Sequence, residues 1–213
     1  MTGLAVAWDI DGTLVDSEPL HHRALLAASM LWNCDLSDLP DQAFRGVHMY
    51  DVWDILRPRL PQTLDRALWL QAIDKHYAEN TRHLQPVADA VAAIKALAAR
   101  QVPQVCVSNS GRAVVDANLA ALGILEHISF SISLDDVAEG KPSPEPYLSA
   151  CTRLGLEPAT VLAIEDSRSG ALSARRAGLT VIGYTATGGG FDDVDYLIDD
   201  FAGFAEPSQP WWR

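Results

Sequence analysis

Only three cysteines occur in 213 residues, Cys34, Cys106 and Cys151, and no two are spaced as C-x-x-C. An odd, scattered set supplies neither a disulfide framework nor a thiolate zinc site, so inert core thiols and a cytoplasmic setting are expected. Basic residues are also scarce. Sixteen Lys and Arg stand against 28 Asp and Glu, a formal net charge of −12. That balance argues against a nucleic-acid-binding surface. No apolar run approaches the roughly 20 residues of a membrane helix, and no basic segment followed by an apolar one opens the chain. No membrane partner is therefore expected. Internal repeats and low-complexity tracts are missing as well. What is present is a 48% hydrophobic chain, enough for a sizeable core in one domain with, at most, a modest insertion.

The most informative stretch is Trp8-Asp9-Ile10-Asp11-Gly12-Thr13. The apolar run Leu4–Trp8 reads as a buried strand, and side chains two apart in an extended segment share a face. Asp9 and Asp11 are thus expected at one site, at the carboxyl end of that strand, where open α/β sheets bind ligands. Two close carboxylates repel unless a cation sits between them or one takes a proton. Either outcome is useful in catalysis.

The pattern then turns helical for about seventy residues. Helices are predicted over 19–32, behind the potential caps Asp16 and Ser17, over 49–57, and over 63–80. Leu20, Ala24, Leu25, Ala28 and Leu31 form the expected apolar stripe of the first; Leu64, Leu68, Ile73 and Tyr77 form that of the third. From residue 86 strands and helices alternate. Strands are predicted at 104–107, 128–133, 161–164 and 180–184, with helices over 88–100, 112–122, 144–154 and 169–177, the last three closing at Gly123, Gly155 and Gly178. The fold class is therefore α/β. A doubly wound parallel sheet is expected over residues 1–16 and 82–213, with a helical bundle inserted over 17–81. The tail from Pro207 to Arg213, with Trp211 and Trp212, has no readable pattern and fits a docked segment or a frayed end equally.

Three more clusters fall at predicted strand ends. Ser108-Asn109-Ser110-Gly111 precedes a helix, whose free N–H groups and hydroxyls suit a phosphate, although Ser and Asn also cap helices everywhere. Lys141 sits in a Pro-rich turn, where it can pin a phosphoryl oxygen or simply face solvent. Glu165-Asp166 suits a hard, oxygen-ligated cation, or a helix start that favours acids.

Asp-x-Asp-Gly-Thr-Leu, then Ser-Asn, Lys-Pro and Glu-Asp, each after a strand, resembles the haloacid dehalogenase superfamily. Asp-Gly-Thr-Leu-Val-Asp-Ser-Glu followed by a helical insertion resembles its helical-cap subgroup, which holds phosphoglycolate phosphatase, sugar-phosphate phosphatases and β-phosphoglucomutase. The resemblance spans nearly the whole chain and is specific for fold and chemistry, not for substrate. It implies a Rossmann-like core with a mobile cap, and a Mg²⁺-dependent phosphatase acting on a small phosphorylated metabolite. By position it implies Asp9 as nucleophile and Asp11 as acid–base, with the Asp11 carbonyl also on the metal. Glu165 and Asp166 would complete the metal site with Asp9, and Ser108, Asn109 and Lys141 would hold the phosphoryl group. In the insertion, Arg45 and Gly46 resemble a cap loop that meets substrate. His21 and Lys75 resemble positions of the mutase branch, so a phosphomutase is the alternative. A monomer or weak homodimer is expected. Trp8 stands where relatives usually carry Phe and is read as a packing variant.

Overall fold

The computed structural model describes residues 4–40, 43, 44, 47, 49–186 and 190–212. In chain order its main elements are β1 (Ala5–Trp8), β2 (Val15–Asp16), α1 (Glu18–Met30), α2 (Met49–Leu56), α3 (Arg66–Glu79), β3 (Gln85–Pro86), α4 (Ala90–Ala99), β4 (Gln104–Val107), α5 (Arg112–Leu122), β5 (Phe130–Ile132), α6 (Glu145–Leu154), β6 (Val161–Glu165), α7 (Arg168–Ala177), β7 (Thr180–Tyr184) and β8 (Tyr196–Ile198). They form two compact units, Met1–Asp16 with Gln85–Arg213, and Ser17–Leu84.

The first unit is built on a six-stranded sheet in the order β5-β4-β1-β6-β7-β8, parallel at every pairing. Strand β1 carries no polar residue and is buried throughout, as a central strand covered on both faces must be. On one face Ala5, Ala7, Val107, Ala163 and Val181 join Tyr147 and Ala150 of α6 and Ala171 and Ala174 of α7 in one apolar cluster. On the other face, the buried Trp8 indole donates to Gln104 Oε1 at 3.0 Å. Gln104 in turn donates to the Ile94 carbonyl of α4 at 2.9 Å. Trp8 is thus a packing residue with its one polar atom satisfied.

The carboxyl tail is docked. The Trp8 ring lies 5.8 Å from that of Phe201 and 5.3 Å from that of Phe204, and Phe204 stacks on Trp211 at 5.2 Å. The indoles of Trp211 and Trp212 both donate to the Phe204 carbonyl, at 3.3 and 2.9 Å. Arg100 lies over the Trp212 ring at 5.3 Å. A pattern of period 2 or 3.6 cannot reveal this, because the tail forms only a short 3₁₀ turn. Strand β8 is another element that the alternation missed, being three residues long.

Antiparallel pairing of β2 with β3 matches Val15 to Pro86 and Asp16 to Gln85. The chain therefore leaves and re-enters this unit at one two-stranded ribbon. Sequence reading missed it, since two-residue strands carry no period.

In the second unit, α1 and α3 pack together, and Trp69 of α3 donates to Ser29 of α1 at 3.0 Å. Asp65 caps α3, its carboxylate accepting from the N–H groups of Ala67 and Leu68 at 2.8 and 3.1 Å. Two expected core positions are corrected. Leu31 is exposed because α1 ends at Met30, and Leu68 is exposed because Trp69 takes the inward place. The expected cap of α1 is also corrected: the Ser17 side chain makes no capping bond, and its buried hydroxyl has no partner. All three cysteines are buried and free. Burial pushes the Cys151 thiol up to about 11, which keeps it an unreactive thiol.

Candidate active site

The ends of three adjacent strands, β4, β1 and β6, meet where the sheet order reverses around β1. Ligands collect at such a switch point. Asp9 follows β1 directly, and its N–H donates to the Ile164 carbonyl of β6 at 3.0 Å. The register pairs Trp8 with Ile164 and with Cys106, so Asp9, Glu165 and Val107 leave the sheet at one level.

Asp9 and Asp11 come together differently from expectation. Strand β1 ends at Trp8, so strand alternation does not align them. The chain turns instead: the Ile10 carbonyl accepts from Leu14 at 2.8 Å, and Gly12 takes φ +88°. Glycine is required at that angle, and a Cβ there would lie 2.1 Å from Asp166 Oδ2. Asp11 is then held by side chains of the neighbouring β4–α5 segment. Its Oδ2 accepts from Ser108 at 3.1 Å and Ser110 at 2.9 Å, and its Oδ1 accepts from Asn118 at 3.2 Å.

Lys141 anchors the charged centre. Its ammonium contacts Asp9 Oδ1 at 2.7 Å and Glu165 Oε1 at 2.6 Å, and donates to the Val107 carbonyl at 2.8 Å. Burial alone would depress the Lys141 pKa, but Asp9 and Glu165 outweigh it and hold the group above its ordinary value. Asn109 spends its amide on the same turn, accepting from Lys141 N–H at 2.7 Å and donating to the Lys141 carbonyl at 3.0 Å. Glu165 is fully buried and also accepts from the Tyr147 hydroxyl at 2.5 Å.

The site suits a cation. Asp9, Glu165 and Asp166 each offer a carboxylate oxygen, all within 4.8 Å of one another. Lys141 pairs with two of the site's acids, Asp9 and Glu165, while Asp11 and Asp166 add their charge beside Asp9. Asp9 Oδ2 is buried with no hydrogen-bond partner, an orphan that a divalent cation would satisfy. Burial pushes the Asp9 carboxyl well up; Lys141 opposes this, and Glu165, Asp166 and Asp11 add to it. The residues present therefore fit an all-oxygen divalent site.

A family model described as haloacid dehalogenase-like hydrolase matches residues 4–178. The chain belongs to this family. It is 31% identical over 228 residues to Protein CbbY of Rhodobacter capsulatus, covering 97% of each chain. It is 32% identical over 196 residues to a plasmid-borne phosphoglycolate phosphatase of Cupriavidus necator, covering 87% of this chain and 84% of that one. Among solved structures, CbbY of Rhodobacter sphaeroides in complex with phosphate aligns with a TM-score of 0.84 at 25% identity, over 96% of each chain.

The remaining sequence candidates of this hydrolase lie in the helical unit. The His21 ring sits 4.4 Å from that of Tyr77. Lys75 is exposed, 4.0 Å from Glu79. Arg45 and Gly46 lie outside the described residues. Arg112, at the start of α5, binds Asp116, Asp136 and Ser131, and its N–H donates to Asp135 at 2.7 Å. One N–H of that helix start is therefore already taken. Sequence reasoning missed Asn118, Tyr147 and Gly170, and named Ser110 only within the phosphate loop, not as a partner of Asp11. A Cβ on Gly170 would lie 1.9 Å from Glu165 Oε2. Only a polar residue on the inward face of α5, such as Asn118, was available as a sequence signal.

Among the described residues, no helix is long and apolar enough to cross a membrane.

Proposed function

We propose that this hydrolase is a Mg²⁺-dependent phosphatase that cleaves a small sugar or organic-acid phosphate through a phosphoaspartate at Asp9. The observation that carries this reading is the Asp9 carboxylate itself, with one oxygen on Lys141 and the other buried and unpartnered beside Glu165 and Asp166. An all-carboxylate donor set favours Mg²⁺ over softer metals. Asp9, Glu165, Asp166 and the Asp11 carbonyl would hold the ion, which supplies charge neutralisation for the transferring phosphoryl group.

The residues then divide the work. The Asp9 carboxylate attacks phosphorus, forming the acyl–phosphate bond as the ester P–O bond breaks. Asp11 gives its proton to the leaving alcohol oxygen. In the second half, ionised Asp11 takes a proton from water, which attacks the phosphoaspartate, releases inorganic phosphate and restores Asp9. Ser108 and Lys141 hold equatorial phosphoryl oxygens, and Asn109 shapes the Lys141 turn. Substrate choice belongs to the helical unit, with Arg45, Gly46, His21 and Lys75 as its first candidates. The phosphatase names of relatives support phosphoglycolate as the first ester to try.

The test is a phosphate-ester panel with and without Mg²⁺, read as kcat/KM, beside Asp9→Asn. Turnover should need Mg²⁺, stop with chelator, and vanish in Asp9→Asn while its circular dichroism is unchanged. Undiminished turnover by Asp9→Asn would refute the assignment. Phosphorus NMR with β-glucose 1-phosphate and a bisphosphate primer checks the outcome: isomerised sugar phosphate without free phosphate would make the chain a mutase.

A further inference from the structure

We infer that Asn118 on α5, together with Ser110, is a positioning residue that aims the Asp11 carboxylate. This deepens the phosphatase reading and rests on it. Asn118 is fully buried, so it does not meet substrate, yet its amide donates to Asp11 Oδ1 at 3.2 Å. Ser110 donates to the other oxygen at 2.9 Å. A carboxylate gripped on both oxygens from different elements has a fixed plane. Asp11 needs that help, because it stands on a turn beyond the end of β1 rather than in the sheet.

The third donor makes the grip conditional. Ser108 donates to Asp11 Oδ2 at 3.1 Å, and it is also the hydroxyl assigned to the phosphoryl group. When phosphate takes Ser108, the grip of Ser110 and Asn118 remains and keeps Asp11 aimed at the leaving oxygen.

The leaving group separates positioning from mere packing. A nitrophenolate departs without a proton, whereas a phenoxide gains from one. kcat/KM reports the steps through phosphoryl transfer to Asp9. It is measured in Mg²⁺ for p-nitrophenyl phosphate and phenyl phosphate, on wild type, Asp11→Asn, Asn118→Leu and Ser110→Ala. Asn118→Leu should lose about tenfold or more on phenyl phosphate, a part of the ~10²–10⁴ that general acids contribute, and little on p-nitrophenyl phosphate. Ser110→Ala should show the same selectivity, and it serves alone where Asn118→Leu does not fold. Equal losses on both esters, or no loss on either, would overturn the inference. Absent turnover in wild type, or an Asp11→Asn with no leaving-group selectivity, would overturn the reading beneath it. Selectivity in Asp11→Asn without selectivity in Asn118→Leu or Ser110→Ala sinks this inference alone.

Discussion

Replacing Lys141 by Met tests whether one ammonium balances the acidic centre. The Lys141 side chain is 4% exposed and pairs with Asp9 at 2.7 Å and Glu165 at 2.6 Å, themselves 9% and 0% exposed. Methionine keeps the reach and most of the volume, so cavity formation contributes little. The loss is electrostatic: two buried carboxylates are left without their cation, and the Val107 carbonyl loses a donor. Orphaning one partner of a buried pair costs about 3–5 kcal/mol. For a chain of this size each kcal/mol lowers Tm by about 2–4 °C, so a fall of roughly 6–20 °C is expected in chelator. Thermal melts by circular dichroism read it, with exposed Lys95→Met as the control, held to about ±0.5 kcal/mol. Saturating Mg²⁺ should narrow the deficit, because the ion binds the folded acid cluster and stabilises it by mass action. Adding Glu165→Gln to Lys141→Met should recover part of the loss, since it removes one orphaned charge. A Lys141→Met protein that melts within about 2 °C of wild type in chelator would refute the charge balance drawn from these contacts.

Gly170→Ala should raise the Mg²⁺ concentration needed for half-maximal activity and lower kcat/KM, because its Cβ would meet Glu165 Oε2 at 1.9 Å. Alanine is the better helix former by about 1 kcal/mol, so a stabilised, fully active variant would show that Glu165 has room to move. Phe204→Ala removes the centre of the tail cluster and should cost about 3–5 kcal/mol in denaturant melts, with kcat/KM per folded molecule unchanged; a loss below about 1 kcal/mol would mean the tail does not cover the sheet. Asp136 lies below the ordinary carboxylate range: burial raises it, but hydrogen bonds from Ser133 and the Arg112 guanidinium outweigh that and lower it. A depressed carboxylate stabilises above its unfolded pKa and loses that contribution as pH falls through the folded one. Wild type and Asp136→Asn should therefore differ in stability near neutrality and converge in acid, and a gap that widens in acid would reverse the sign.

How far the chain could be read follows from the range of each interaction. Every strand of four or more residues was legible, because a covered parallel strand needs an unbroken apolar run such as Val161–Ile164. Helix ends at Gly123, Gly155 and Gly178 were legible because each takes a positive φ. Asp9, Asp11, Ser108, Lys141, Glu165 and Asp166 were found by type and order, and the structure brings them to one end of the sheet. Short elements escaped: the β2–β3 ribbon and β8 hold too few residues for a period. Helix phase slipped where one residue decided it, as with Trp69 in place of Leu68.

Local order was written in the residues themselves, from apolar runs, helix stops and four polar or charged motifs at strand ends. That suffices for the chemistry, since phosphoryl transfer needs carboxylates, a cation site and donors at the edge of one sheet. Tertiary structure decided their partners. Asp11 lies 107 positions from Asn118, Asp9 lies 132 from Lys141, and Tyr147 reaches Glu165 across 18. No spacing rule carries such pairs, because they are set by strand order and by the turn at Gly12. The same holds for the tail, whose two tryptophans gain a role only once Trp8 and Phe204 present them with an apolar face.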